Sequence, residues 1–99
     1  QPTIADGIAS ERPVRITEVM AAAAETGGAI VAVEEDEIVA SFHELALRGF
    51  FVEPTCATAG AVLRRLLDEG AVKEDETSVL VLTGHGLKAT DKITSLIAP

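Results

Sequence analysis

Residues 78–88 read S-V-L-V-L-T-G-H-G-L-K. Val79, Leu80, Val81 and Leu82 make an apolar run of strand length, and Thr83-Gly84-His85-Gly86 ends it. A continuous apolar run of this kind predicts a strand covered on both faces. In open α/β sheets, ligands bind in the crevice beyond the carboxyl ends of the strands. Thr83 therefore stands where a hydroxyl can meet a ligand, and Gly84 and Gly86 let the backbone come close to it. The plainer alternative is a solvent turn carrying an exposed histidine.

Outward from this stretch, strand and helix signals alternate. Thr17 predicts the cap of a helix running to about Glu25, with Val19, Met20, Ala23 and Ala24 on one apolar face and Gly27-Gly28 as its stop. Residues 29–33 (A-I-V-A-V) predict a second covered strand. The acids Glu34-Glu35-Asp36-Glu37 suit the positive end of a helix in which Ile38, Phe42 and Leu45 recur at i, i+4 and i+7, up to about Arg48. Gly49 ends that helix, and Phe50-Phe51-Val52 is a short extended segment. Pro54 opens a third helix through Ala57, Ala59, Val62, Leu63, Leu66 and Leu67 to Gly70. Its small residues 57–61 allow close approach of a backbone or a ligand. Residues 73–77 form a charged loop, and a last helical turn is expected near Asp91.

This order predicts one α/β unit over residues 1–99, with a partial parallel sheet flanked by helices. Two strands, or three with residues 50–52, fall short of the five or six of a typical sheet, as about that number is usual. Other polypeptide is therefore expected to complete it. The opening Gln1-Pro2-Thr3 carries no initiator Met or secretory signal, which suits a fragment of a larger protein.

Eight basic residues against sixteen acidic ones leave a net charge of −8, which argues against a nucleic-acid or anionic-membrane partner. Only Lys73, Lys88 and Lys92 are lysines, a balance that salt-adapted proteins show. The single cysteine, Cys56, cannot form an internal disulfide, so a reducing, cytoplasmic setting is expected. His43 and His85 lie far apart, and neither stands at ligand spacing from Cys56, so the sequence offers no metal site. It also lacks a G-x-S-x-G elbow and a Rossmann or Walker phosphate loop. Glu53 is the carboxylate that stands apart from the solvated acids. It lies at a strand-to-helix junction directly before Pro54, where it can face the same crevice as Thr83.

V-L-T-G-H-G-L-K resembles the end of the large domain in threonine synthases, which are pyridoxal-phosphate enzymes of fold type II, the tryptophan-synthase-β type. The resemblance implies that Thr83 and its neighbour Gly84 meet the cofactor, with the Thr83 hydroxyl on the pyridine nitrogen. Phe51-Val52-Glu53-Pro54-Thr55-Cys56-Ala57 is similar to the V-E-P-[AST]-S-A stretch of the same enzymes and of serine/threonine dehydratases, which places Glu53 near the ring. Cys56 stands where Ser or Ala is usual in that stretch. Thr3-Ile4-Ala5-Asp6-Gly7-Ile8 resembles the segment that passes beside the cofactor, which adds Ala5 to the cofactor-binding residues. Its Asp6-Gly7 pair is commoner among the dehydratases, whereas those enzymes usually carry S-G-G-N where this chain has T-G-H-G.

The resemblance covers residues 3–92 but only the last quarter of such an enzyme, the C-terminal part of its large domain. It implies conversion of O-phosphohomoserine to threonine by γ-elimination and β-addition of water. A threonine or serine dehydratase is the alternative within the fold type, and a free-standing ligand- or protein-binding module is the alternative outside it. No lysine here matches the family's Schiff-base context, and no G-N-x-G-N-like phosphate loop occurs. The segment alone is therefore expected to be inactive. Its expected partners are the N-terminal part of the same enzyme and further copies in a homo-oligomer.

Overall fold

The computed structural model of the chain describes residues 2–98. Four helices organise it: α1 (Ile16–Glu25), α2 (Glu35–Leu47), α3 (Pro54–Asp68) and α4 (Thr90–Ile97), with single 3₁₀ turns at Asp6–Ile8 and Gly86–Ala89.

The centre is the α2–α3 pair. Ile38, Ser41, Phe42 and Leu45 are buried on α2, at i, i+3, i+4 and i+7, the spacing of one helical face. Ile38, Phe42 and Leu45 join Cys56 and Ala57 of α3 in one buried cluster. Burying a side chain of the size of Ile38 or Phe42 contributes about 1.5–3 kcal/mol. The small run 57–61 makes the close packing possible, since a Cβ added at Gly60 would strike the Ser41 hydroxyl. Pro54 occupies the first turn of α3, where its missing N–H costs nothing. Gly49 (φ 93°) and Gly70 (φ 75°) follow α2 and α3 in the left-handed region that favours glycine.

The structure departs from these expectations at the sheet and at the start of the first helix, and it extends the last one. Residues 29–33 and 78–82 carry no sheet ladder, so a parallel sheet is not shown among the described residues. Among the described residues, the β pairing is an isolated antiparallel bridge between Val52 and His85. The physical reason lies in the lack of neighbours. Ile30, Val79 and Val81 are 59%, 82% and 72% exposed, and an extended segment with no adjacent strand has nothing to pair its backbone with. The first helix begins after Arg15, so Thr17 lies inside it rather than capping it, and none of its residues is buried. The turn expected near Asp91 is an eight-residue helix whose Ile93 reaches the core. Among the described residues, no helix is long and apolar enough to cross a membrane.

The acidic run does more than complement a helix dipole. Glu37 accepts from the Glu34 N–H at 2.6 Å, and Arg65 of α3 grips it through Nε at 3.0 Å and Nη2 at 2.5 Å. Arg65 also donates from Nη1 to the Ala32 carbonyl at 2.7 Å, tying α2, α3 and the 29–33 segment together. Glu35 accepts from the Thr3 hydroxyl at 2.7 Å and from the Ile4 N–H. The Ile4 N–H, then the Thr3 hydroxyl, hold the Glu35 carboxyl below its ordinary pKa. For Glu37 the Glu34 N–H leads and Arg65 follows. Carboxyls depressed on folding contribute stability above the unfolded value of about 4.3 and lose it as pH falls through the lower folded values. Denaturant midpoints should therefore decline below about pH 4.3, and a Glu35→Gln/Glu37→Gln variant should decline less steeply. Equal slopes in the two proteins would remove these carboxyls from the account.

Candidate functional site

The first turn of α3 gathers the three stretches singled out in the sequence. Two consecutive side chains do this, each accepting one backbone N–H. Thr55 Oγ1 accepts from Gly7 at 3.0 Å, which docks the 3–8 segment. Cys56 Sγ accepts from Gly84 at 2.9 Å, which docks the 83–86 turn. The turn is held a second time by backbone pairing, with Glu53 N–H donating to Gly84 O at 3.1 Å and Gly86 N–H donating to Phe51 O at 3.0 Å. The 3–8 segment is also held by α4, where Lys92 Nζ lies 3.1 Å from Asp6 Oδ1 and 3.4 Å from the Thr3 carbonyl oxygen.

Gly84 and Gly86 are buried, and neither has a positive φ. They are required for space. A Cβ on Gly84 would overlap the Glu53 carboxylate, and one on Gly86 would overlap the Phe51 ring. That ring stands edge-on to His85 with centroids 5.3 Å apart. His85 is a capping residue: its Nδ1 accepts from Leu87 N–H at 3.1 Å and starts the 3₁₀ turn. His43 is exposed on α2, edge-on to Phe42.

Cys56 sits at the centre of the cluster and is only 4% exposed. Its sulfur lies 3.4 Å from Thr83 Oγ1 and 3.9 Å from Glu53 Oε1. Thr83 itself is exposed and, with Phe51, Leu82, Gly84 and His85, lines an open cleft of about 380 Å³. Glu53 lines a second cavity of about 320 Å³, shared with Asp6, Gly7, Lys88 and Lys92. Thr83, Glu53 and Gly84 are thus brought together around Cys56. Ala5 is not beside them at the surface; it is 1% exposed and belongs to the core beneath. Thr55 and Cys56 are the residues that sequence reasoning undervalued. No spacing in the sequence marks them, because the N–H groups they accept belong to Gly7 and Gly84, 48 and 28 residues away.

The family described as "Pyridoxal-phosphate dependent enzyme" matches residues 1–84. The chain belongs to that family. It is 42% identical over 87 residues to the threonine synthase of Methanosarcina acetivorans, a match covering 87% of this chain and 22% of that protein. The threonine synthase of Methanocaldococcus jannaschii is 42% identical over 90 residues, covering 90% of this chain and 22% of the relative. That of Halalkalibacterium halodurans is 40% identical over 96 residues, covering 96% and 27%. The chain therefore spans about a quarter of the length of the curated relatives it matches.

Proposed function

We propose that this chain is the C-terminal segment of a threonine synthase, which converts O-phosphohomoserine and water to threonine and phosphate with bound pyridoxal phosphate. The observation that carries the reading is the exposed Thr83 hydroxyl over a turn that two glycines keep free of side chains. Its likeness to named threonine synthases over most of its length supports the same assignment. A neutral hydroxyl beside a cleft fits the ring-nitrogen edge of the cofactor. None of the residues lining that cleft is Lys or Arg, so the cofactor phosphate and its lysine belong to the rest of the enzyme. When bound, the cofactor supplies an electron sink for carbanions of the amino-acid substrate.

In this reading Thr83 holds a hydrogen at the ring nitrogen's edge, and Gly84 lets the turn lie flat. Glu53 borders the site next to Gly84. Ala5 contributes through the buried backbone of its segment. Residues 29–33 and 78–82 become strands of a parallel sheet once the N-terminal part of the enzyme lies beside them, which also covers Ile30, Val79 and Val81. Copies of the full enzyme assemble into a homo-oligomer, in the cytoplasmic setting that one unpaired cysteine suits.

The decisive test is product analysis of the full-length enzyme. With O-phosphohomoserine it should release threonine and phosphate in equal amounts. Ammonia and a 2-oxo acid from threonine, with no phosphate released from O-phosphohomoserine, would assign it to the dehydratases instead.

A further inference from the structure

The Thr83 hydroxyl can point its hydrogen in several directions, and only one of them serves a ring nitrogen that accepts. Its surroundings choose. The Cys56 Sγ–Thr83 Oγ1 contact at 3.4 Å admits either atom as donor, and a sulfur that already accepts the Gly84 N–H at 2.9 Å is the poorer acceptor for a second hydrogen. What remains is a single S–H, with Thr83 Oγ1 at 3.4 Å and Glu53 Oε1 at 3.9 Å as the two acceptors in reach. A charged acceptor forms the stronger bond at equal distance, but Glu53 lies at the limit of reach and the threonine oxygen is nearer. Given to Thr83, the thiol hydrogen occupies a lone pair of Oγ1. The Thr83 O–H makes no other hydrogen bond among the described residues and is left pointing into the cleft. Threonine is stiff at χ1, so one contact to a buried anchor suffices to select the rotamer.

We infer that Cys56 is a positioning residue: it pins the Thr83-Gly84 backbone and donates to Thr83 Oγ1, so that Thr83 presents its hydroxyl as a donor. The inference rests on the reading of Thr83 as the ring-nitrogen partner. It goes beyond that reading by assigning the direction of the hydrogen and the residue that sets it. Cys56 touches neither cofactor nor substrate in this account.

The test uses the full-length enzyme with Cys56→Ala, Cys56→Ser, Thr83→Val and the Cys56→Ala/Thr83→Val double variant. In Cys56→Ala the cofactor stays bound, and its visible absorbance band moves in the direction seen in Thr83→Val. The double variant moves it no further, because both changes remove one contact. Cys56→Ser restores the wild-type band, since a serine O–H donates from the same place. In Cys56→Ala, kcat falls roughly tenfold while KM stays within about twofold, the split of a contact that acts at the reacting centre. In cofactor-free protein, the Gly84 amide exchanges roughly tenfold faster in Cys56→Ala, the loss of one net hydrogen bond. A wild-type band in Cys56→Ala beside a shifted one in Thr83→Val overturns the role of Cys56 alone. An additive double variant or an unchanged Gly84 amide does the same. A wild-type band in Thr83→Val overturns the ring-nitrogen reading and this inference together.

Discussion

Thr83→Val in the full-length enzyme should lower kcat roughly 10²-fold while leaving the fold intact, the usual order for losing one preorganised contact to developing charge. The substitution is nearly isosteric, and Thr83 is exposed, so no buried volume is lost. Its backbone neighbours stay held by Gly84 N–H to Cys56 Sγ and by Glu53 N–H to Gly84 O. The change thus removes a hydroxyl and little else. Its signature should be spectral as well as kinetic, with the cofactor band displaced at unchanged melting temperature. A neutral hydroxyl leaves the ring nitrogen less protonated than a carboxylate partner would. Thr83→Asp should therefore move the band differently from Thr83→Val. Kinetics and spectra indistinguishable from wild type in both variants would take Thr83 out of the site.

Parts of this arrangement were open to reading from residues alone, and the reasons divide cleanly. The bounds of α2 and α3 depend on local chemistry: the 38–42–45 spacing, Pro54 at the helix start, and Gly49 and Gly70 past the ends. Such signals act within a few residues. The 29–33 and 78–82 segments behave otherwise, because a strand is completed by a neighbour. Their apolar runs mark exposed surface, yet the described residues supply no partner strand.

The site divides along the same line. The place of Thr83 and Gly84 in a turn at the end of an apolar run is legible in the sequence. That of Cys56 is not, since its partner in the contact lies 27 residues away and a lone thiol carries no spacing signal. Glu35 is a similar case. Its place in an acidic run suggested a dipole role, and its hold on Thr3 and Ile4 depends on a segment 31 residues distant.

Gly84→Ala should cost the full-length enzyme activity far more than stability. The added Cβ would fall on the Glu53 carboxylate, so either the turn retreats or Glu53 moves. Retreat of the turn breaks two hydrogen bonds, Gly84 N–H to Cys56 Sγ and Glu53 N–H to Gly84 O, at a cost of about 1–3 kcal/mol. Displacing Glu53 costs less, because the side chain is half-buried and flexible, and even a χ angle held about 30° off its rotamer costs only about 0.5–1.5 kcal/mol. Glu53 therefore swings away and the turn stays. The full-length variant is expected to melt within a few degrees of wild type, since about 1 kcal/mol shifts a domain of such an enzyme's size by roughly 2–4 °C. Its kcat should fall roughly 10²-fold, as misplacement of a group by about 1 Å can produce. Because the damage runs through Glu53, Glu53→Ala should reproduce it, and Gly84→Ala/Glu53→Ala should be no worse than either alone. Additive losses in the double variant, or a large drop in melting temperature for Gly84→Ala, would show that the backbone moved instead. Gly86→Ala provides the contrast. Its Cβ meets the rigid Phe51 ring packed on His85, so there the loss should appear in stability first.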